Sequence, residues 1–123
     1  MNNRVLYELE YDILGSHALT KITGASFDNL NDKKRLEVTF NLVIGLFELC
    51  PISDPIIHQF NPYGLTGIVL LSESHISIHT WPELGSATLD VFTCGDRPSE
   101  DIANYFAECL VGEDNYKTEL IYR

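Results

Sequence analysis

Two alternating segments joined by a short turn constrain the fold of this chain more than any other feature. In residues 75–81 and 86–93, apolar and polar side chains alternate with the period of a strand that has one buried face. Pro82 and Gly85 lie between the segments and favour a chain reversal. The sequence therefore predicts an antiparallel hairpin. The outward face of its first strand should carry His75, Ser77, His79 and Trp81.

Helices and further strands are predicted on both sides of this hairpin. Apolar residues at helical spacing predict one helix from Asn31 or Asp32 to about Cys50, and a second that starts near Pro98–Ser99. Strand-like runs occupy 5–13, 17–23, 56–60, 66–72 and 117–122. This pattern predicts an α+β fold: a two-layer sandwich in which two helices cover one face of an antiparallel sheet of about four main strands. The other sheet face must then meet solvent, a ligand or another subunit.

Length and composition restrict the function classes. The 123 residues fit a single domain that spans the whole chain. A formal net charge of -10 argues against nucleic-acid binding, because phosphate contacts need clustered Lys and Arg. The three cysteines lack CxxC spacing, which argues against a disulfide framework and favours a reducing compartment. No apolar run approaches the roughly 18 residues of a membrane span. We therefore expect a cytoplasmic protein that contacts neither nucleic acid nor membrane.

The expected hairpin register brings a thiol towards a serine. If the turn centres near Leu84 and Gly85, paired residue numbers sum to roughly 168–170. Cys94 then lies opposite residues 74–76, and Asp90 lies near His79. Taken alone, a strand cysteine is more often core filler, a strand-end serine a polar turn and a tryptophan packing. Only the joint arrangement favours a functional cluster.

A metal site is the competing interpretation of this strand. His75 and His79 are four residues apart, which is a zinc spacing when both lie on a helix. On a strand the same spacing separates the two rings by about 13 Å. The two imidazoles cannot then bind one ion, so we predict no metal site here.

Several short motifs resemble those of the prokaryotic S-adenosylmethionine decarboxylases, which are self-processing, pyruvoyl-dependent proenzymes. The most specific are ESH at 73–75, IHTWPE at 78–83 and FTCG at 92–95. Upstream, FNPYGLTG at 60–67 and GSH at 15–17 resemble two further family elements. The similarity runs from about Gly15 to the C-terminus. Residues 1–14 therefore look like an N-terminal extension.

The resemblance implies a self-cleavage between Glu73 and Ser74. The Ser74 hydroxyl would attack the Glu73 carbonyl, and loss of the Ser74 α-proton would then break the ester. The products would be a β chain, 1–73, and an α chain, 74–123, that begins with a pyruvoyl group made from Ser74. No external cofactor is implied, since this ketone would itself form the Schiff base with the substrate amine.

The resemblance also assigns roles to individual side chains. His79 is implied as the base that assists processing and Cys94 as the proton donor of the decarboxylation. Thr66 stands where the family usually has a serine that supports processing, and its methyl group restricts χ1, which predicts slower processing. The substrate would be S-adenosylmethionine, with its product used for spermidine synthesis. Its adenine and ribose would be held by Phe60, Trp81 and Glu83.

Assembly and substrate follow from the same resemblance. The family pairs αβ protomers into homodimers with the sites at the interface, which gives the open sheet face an occupant. A pyruvoyl-dependent arginine or ornithine decarboxylase of the same fold is one alternative, and a non-catalytic regulatory paralogue is another. The latter would tend to have lost Ser74, His79 or Cys94, all of which are present.

Overall fold

The computed structural model describes residues 13–123. In chain order the elements are β1 (Gly15–Ile22), α1 (Phe27–Leu30), α2 (Lys33–Leu46), β2 (Ile56–Gln59), β3 (Leu65–Leu70), β4 (His75–Trp81), a 3₁₀ turn (Pro82–Leu84), β5 (Ser86–Cys94), α3 (Ser99–Val111) and β6 (Tyr116–Tyr122).

All described strands join one antiparallel sheet in the order β2-β3-β4-β5-β1-β6. The predicted α+β sandwich, with both long helices on one face, is confirmed. The sheet is wider than the predicted four main strands, because β2 and β6 extend it at its two edges. The strand predicted at 5–13 falls almost wholly outside the described residues.

Helix α2 begins and ends for local reasons. The Asp32 carboxylate accepts a hydrogen bond from the backbone N–H of Arg35 at 3.0 Å, which caps the first turn. The helix ends at Leu46, four residues before the predicted end at Cys50. The backbone at Glu48 adopts φ 53°, a left-handed conformation that cannot continue the helix.

The core lies between the sheet and the two long helices. The rings of Phe40 on α2 and Phe106 on α3 meet edge to face with centroids 5.0 Å apart, and both are fully buried. Gly67 on β3 allows this approach, since a Cβ at this position would lie 2.8 Å from the Phe40 ring. The absence of a side chain at Gly67 therefore sets the distance between α2 and the sheet.

The short helix α1 was not predicted from the sequence. It has only four residues, and its start depends on the Ser26 hydroxyl, which accepts a hydrogen bond from the Asn29 N–H at 3.1 Å. So short a segment carries too few apolar positions to show a helical period. Its position matters, because it links β1 to α2 beside one end of β4.

The opposite sheet face is uncovered by the described part of the chain. Large apolar side chains on this face remain exposed, including Ile68 at 36%, Leu70 at 51%, Trp81 at 42% and Ile121 at 44%. Exposed apolar side chains on one continuous surface are typical of a contact surface. This is the sheet face for which the sequence predicts contact with solvent, a ligand or another subunit.

The β4–β5 register differs from the predicted one. Pro82 begins the 3₁₀ turn directly after Trp81, and Gly85 closes it at φ 61° with its N–H bonded to the Pro82 carbonyl. Paired residue numbers consequently sum to 167. The predicted proximity of Asp90 to His79 is wrong as a pairing, because His79 pairs with Thr88 and Asp90 with Ser77.

Candidate active site

The loop that carries Ser74 is a tight connection between β3 and β4. The Leu71 N–H donates to the Ser74 carbonyl at 2.9 Å, which closes the loop on itself. The Ser72 N–H donates to the Cys50 carbonyl at 3.0 Å, and Pro51 forms an isolated bridge with Leu71. The peptide bond between Glu73 and Ser74 therefore lies in a segment held at several points.

Cys94 contacts the peptide bond before Ser74 directly. Its Sγ donates a hydrogen bond to the Glu73 carbonyl oxygen at 2.6 Å. The predicted approach of Cys94 to this loop is confirmed, with the contact at Glu73 rather than within 74–76. A thiol donor draws electron density from the carbonyl, and the next residue supplies a hydroxyl as a nucleophile. The arrangement can therefore support attack by the Ser74 hydroxyl on the Glu73 carbonyl carbon.

Two cavities border this loop. The smaller, of about 80 Å³, is lined by both Cys50 and Cys94 and by Arg97, together with the loop itself. The larger, of about 450 Å³, lies on the other side of the loop and reaches Phe92 and Arg123. Ser74 lines both, so a small molecule could approach it from the uncovered side of the sheet.

An imidazole pair lies beside Ser74 on the open sheet face. The ring of His75 stacks on Phe92 at 6.0 Å and meets His17 edge to face at 6.2 Å. Burial, and then the neighbouring His17, lowers the pKa of His75, while Asp90 opposes this. His17 Nε2 is buried and has no hydrogen-bond partner within the described residues; Asp90 Oδ1 lies 3.8 Å from it.

A second cluster lies towards the other end of β4. His79 Nδ1 and the Thr66 hydroxyl are 3.0 Å apart, because these two residues face each other across the β3–β4 ladder. Sequence reasoning assigned both to processing, but it did not predict that they hydrogen-bond each other. A hydrogen bond between the Thr66 hydroxyl and His79 Nδ1 restricts the orientation of the imidazole ring.

Beside this pair lies an aromatic cleft of about 300 Å³. Its lining includes the three side chains predicted from the sequence as substrate contacts, namely Phe60, Trp81 and Glu83. Tyr63 also lines the cleft and was missed. It belongs to a Pro-Tyr-Gly sequence that was interpreted only as a motif, although an exposed aromatic within such a turn could have indicated a contact residue.

The two clusters do not meet within one chain. Ser74 directly precedes β4, and Cys94 at the end of β5 lies beside it. His79 lies near the other end of β4, where it pairs with Thr66 on β3. His79 is four residue steps along the strand from His75, which corresponds to about 13 Å. A side chain cannot span that distance, so His79 cannot reach the Ser74 of its own chain in this conformation.

Within residues 13–123, no group of three or more His, Cys, Asp or Glu side chains is arranged to hold a metal ion. In the same range, no helix is long and apolar enough to cross a membrane.

Comparison with known proteins identifies the class. The fold is that of the adenosylmethionine decarboxylase from Aquifex aeolicus VF5, which is 35% identical, with a TM-score of 0.81 over 90% of this chain and 91% of that one. The family profile described as S-adenosylmethionine decarboxylase matches residues 16–123. This chain belongs to the S-adenosylmethionine decarboxylase family.

Individual relatives agree with this assignment. The S-adenosylmethionine decarboxylase proenzyme of Syntrophomonas wolfei is 46% identical over 111 residues, which cover 87% of this chain and 85% of that protein. The proenzyme of the same name from Moorella thermoacetica is 43% identical over 108 residues, covering 87% and 86%.

Proposed function

We propose that this chain is a proenzyme that cleaves itself between Glu73 and Ser74 and then decarboxylates S-adenosylmethionine. The observation that carries the proposal is the hydrogen bond from Cys94 Sγ to the Glu73 carbonyl, in a member of this family. It supports the cleavage site because it polarises the one carbonyl that the Ser74 hydroxyl must attack.

The proposed cleavage proceeds through an ester between the Glu73 carbonyl and the Ser74 hydroxyl oxygen. Ser74 Oγ bonds to the Glu73 carbonyl carbon, the C–N bond breaks, and the Ser74 nitrogen takes a proton to give an ester. A base then removes the Ser74 α-proton, the Cβ–O bond breaks, and Glu73 leaves as a carboxylate. Water converts the remaining unsaturated residue to a ketone and releases ammonia. Two chains result, 1–73 and 74–123.

The residues around Ser74 fit a pyruvoyl group at this position. The group supplies an electrophilic carbonyl that reacts with the substrate amine and accepts electrons from the breaking carbon–carbon bond. The Cys94 thiol lies beside the Glu73–Ser74 peptide bond. In this position it can donate the proton that the carbon needs after decarboxylation. The lowered pKa of the His75 imidazole, caused first by burial and then by His17, favours its uncharged form beside this site.

The aromatic cleft is proposed as the part of the site that binds S-adenosylmethionine. Phe60 offers a ring for stacking on adenine, and Trp81 lines the same cleft. The Glu83 carboxylate can accept hydrogen bonds from both ribose hydroxyls. An aromatic cleft of this kind favours a nucleoside over free arginine or ornithine, neither of which carries a flat ring.

We further propose that two chains combine to complete each site. Three observations support a homodimer: the uncovered apolar sheet face, the buried His17 Nε2 without a partner in the described chain, and the separation of His79 from Ser74. Stacking two sheets face to face about a two-fold axis can bring the His79 end of one chain to the Ser74 end of its partner. Thr66 and His79 would then act in processing on the partner's loop.

A cytoplasmic location completes the proposal. All three cysteines are free thiols, and Cys94 must stay reduced to donate its proton. The product would serve polyamine synthesis, in which the aminopropyl group of the decarboxylated substrate is transferred to a diamine to form spermidine.

Intact mass under denaturing conditions tests the cleavage. Freshly purified protein should give two fragments, one ending at Glu73 and one whose mass reflects a ketone in place of Ser74. The Ser74→Ala variant should remain a single chain, and a wild-type chain that stays full length after long incubation would refute the proposal. Labelled carbon dioxide release from carboxyl-labelled S-adenosylmethionine, compared with arginine and ornithine, tests the substrate.

A further inference from the structure

The short segment between β1 and α2 contacts both walls of the aromatic cleft. On one side, the Ala25 N–H donates to the Gly85 carbonyl at 3.0 Å, directly after the 3₁₀ turn that carries Glu83. At the end of β4, the Thr80 hydroxyl donates to the Leu30 carbonyl at 2.8 Å. The segment thereby fixes the wall formed by β4 and the turn that follows it.

The opposite wall is the loop that carries Phe60 and Tyr63, and Asn31 contacts both ends of it. The Asn31 side-chain oxygen accepts a hydrogen bond from the Gly64 N–H at 2.9 Å. Its backbone carbonyl accepts one from Gln59 Nε2 at 3.1 Å. The loop is also closed internally, because the Phe60 N–H donates to the Gly64 carbonyl at 2.8 Å. Asn31 therefore holds the base of the loop at two points.

Asn31 is itself well fixed. It caps the C-terminus of α1, with its own N–H bonded to the Asp28 carbonyl at 3.3 Å, and it precedes Asp32, the N-cap of α2. A residue between two helix ends has little freedom to move. Phe27 on α1 adds a second support, since its ring meets Tyr63 edge to face at 5.4 Å. Contacts with α1 and with Asn31, as well as the sheet, therefore hold the loop that carries Phe60 and Tyr63.

We propose that Asn31 is a positioning residue for substrate binding. Through Gly64 and Gln59 it sets the distance between the aromatic ring of Phe60 and the Trp81 side of the cleft. Asn31 is not among the residues that line the cleft or the two cavities beside the Ser74 loop, so we expect its effect on substrate binding and not on cleavage. This inference rests on the proposed function of the cleft as the substrate site.

The test compares three variants. Asn31→Ala removes the side-chain acceptor for Gly64, which should raise KM by about 3- to 10-fold, the range of one lost hydrogen bond. The turnover number and the rate of self-cleavage should stay within about 2-fold of wild type. Asn31→Asp keeps an oxygen in the same place and should restore KM.

A matched control comes from the same helix. Asn29 Nδ2 donates to the Leu110 carbonyl at 3.1 Å, a hydrogen bond to α3 that does not reach the cleft. Asn29→Ala should lower Tm about as much as Asn31→Ala while leaving KM unchanged. An unchanged KM in Asn31→Ala, or an equal rise in Asn29→Ala, would overturn the inference.

A binding measurement separates this inference from the proposed function. Trp81 is the only tryptophan of the chain, so quenching of its fluorescence by adenosine reports occupancy of the cleft. Wild type should bind adenosine more tightly than Asn31→Ala by the same factor as the change in KM. A wild type that binds adenosine but decarboxylates nothing would refute the proposed activity, and the ratio of the two adenosine Kd values would still decide the role of Asn31.

Discussion

The separation of His79 from Ser74 leads to a decisive subunit-mixing experiment. Two inactive variants, His79→Ala and Cys94→Ala, are coexpressed with different affinity tags, and the heterodimer is purified by both tags. If each site takes Ser74 and Cys94 from one chain and His79 from the other, one of the two sites is intact. The heterodimer should then show about 50% of wild-type activity.

The control places both substitutions on one chain and pairs it with wild type. In a shared site each of the two sites now lacks one residue, so this heterodimer should be inactive. A site contained within one chain gives the reverse result, with about 50% activity for the control and none for the first heterodimer. Carbon dioxide release measures activity, and intact mass reports cleavage in the same samples. That reversed pattern would refute the argument from the roughly 13 Å separation along β4.

Three further outcomes follow from individual contacts. Because the folded-state pKa of His75 lies below its unfolded value, the unfolded chain binds more protons as pH falls below about 6.5, so stability should decrease there. Chemical denaturation at pH 7 and pH 5 should show a smaller loss for His75→Gln than for wild type. Thr66→Ser keeps the hydroxyl that meets His79, so it should process at least as fast as wild type, whereas Thr66→Val should slow cleavage strongly in timed intact-mass samples. Gly67→Ala drives a methyl group against Phe40 and should cost about 1–3 kcal/mol in a denaturant titration, and an unchanged midpoint would contradict the packing described for α2.

The alternation of apolar and polar residues was sufficient to predict the β4–β5 hairpin and which side chains of β4 lie on its outward face. Strand β4 runs from His75 to Trp81, as its alternation indicates, and one face of it is buried. The register was misjudged because Pro82 starts the turn without a spacer residue. The start of the turn at Pro82 sets the β4–β5 register, and the register determines whether Cys94 contacts Glu73 or lies opposite residues 74–76. The turn geometry determines this shift of one to three positions in the register, whereas the periodicity of the side chains does not.

The contacts around Asn31 could not be predicted from sequence for a different reason. Asn31 meets Gln59 and Gly64 across 28 and 33 positions of the chain. No spacing rule connects residues so far apart, and a four-residue helix such as α1 leaves almost no periodic signal. The same limit applies to the pairing of Thr66 with His79, which depends on the β3–β4 register.

The strand order has a consequence for the cleavage proposed above. A cut between Glu73 and Ser74 assigns β1, β2 and β3 to one fragment and β4, β5 and β6 to the other. In the sheet these strands interleave, with β2-β3 followed by β4-β5, then β1, then β6. Separating the fragments therefore means breaking three strand ladders, namely β3–β4, β5–β1 and β1–β6. Before the cut, refolding is a first-order process of one chain. After it, the fragments can reassemble only by a second-order encounter, so dilution alone would make unfolding effectively irreversible.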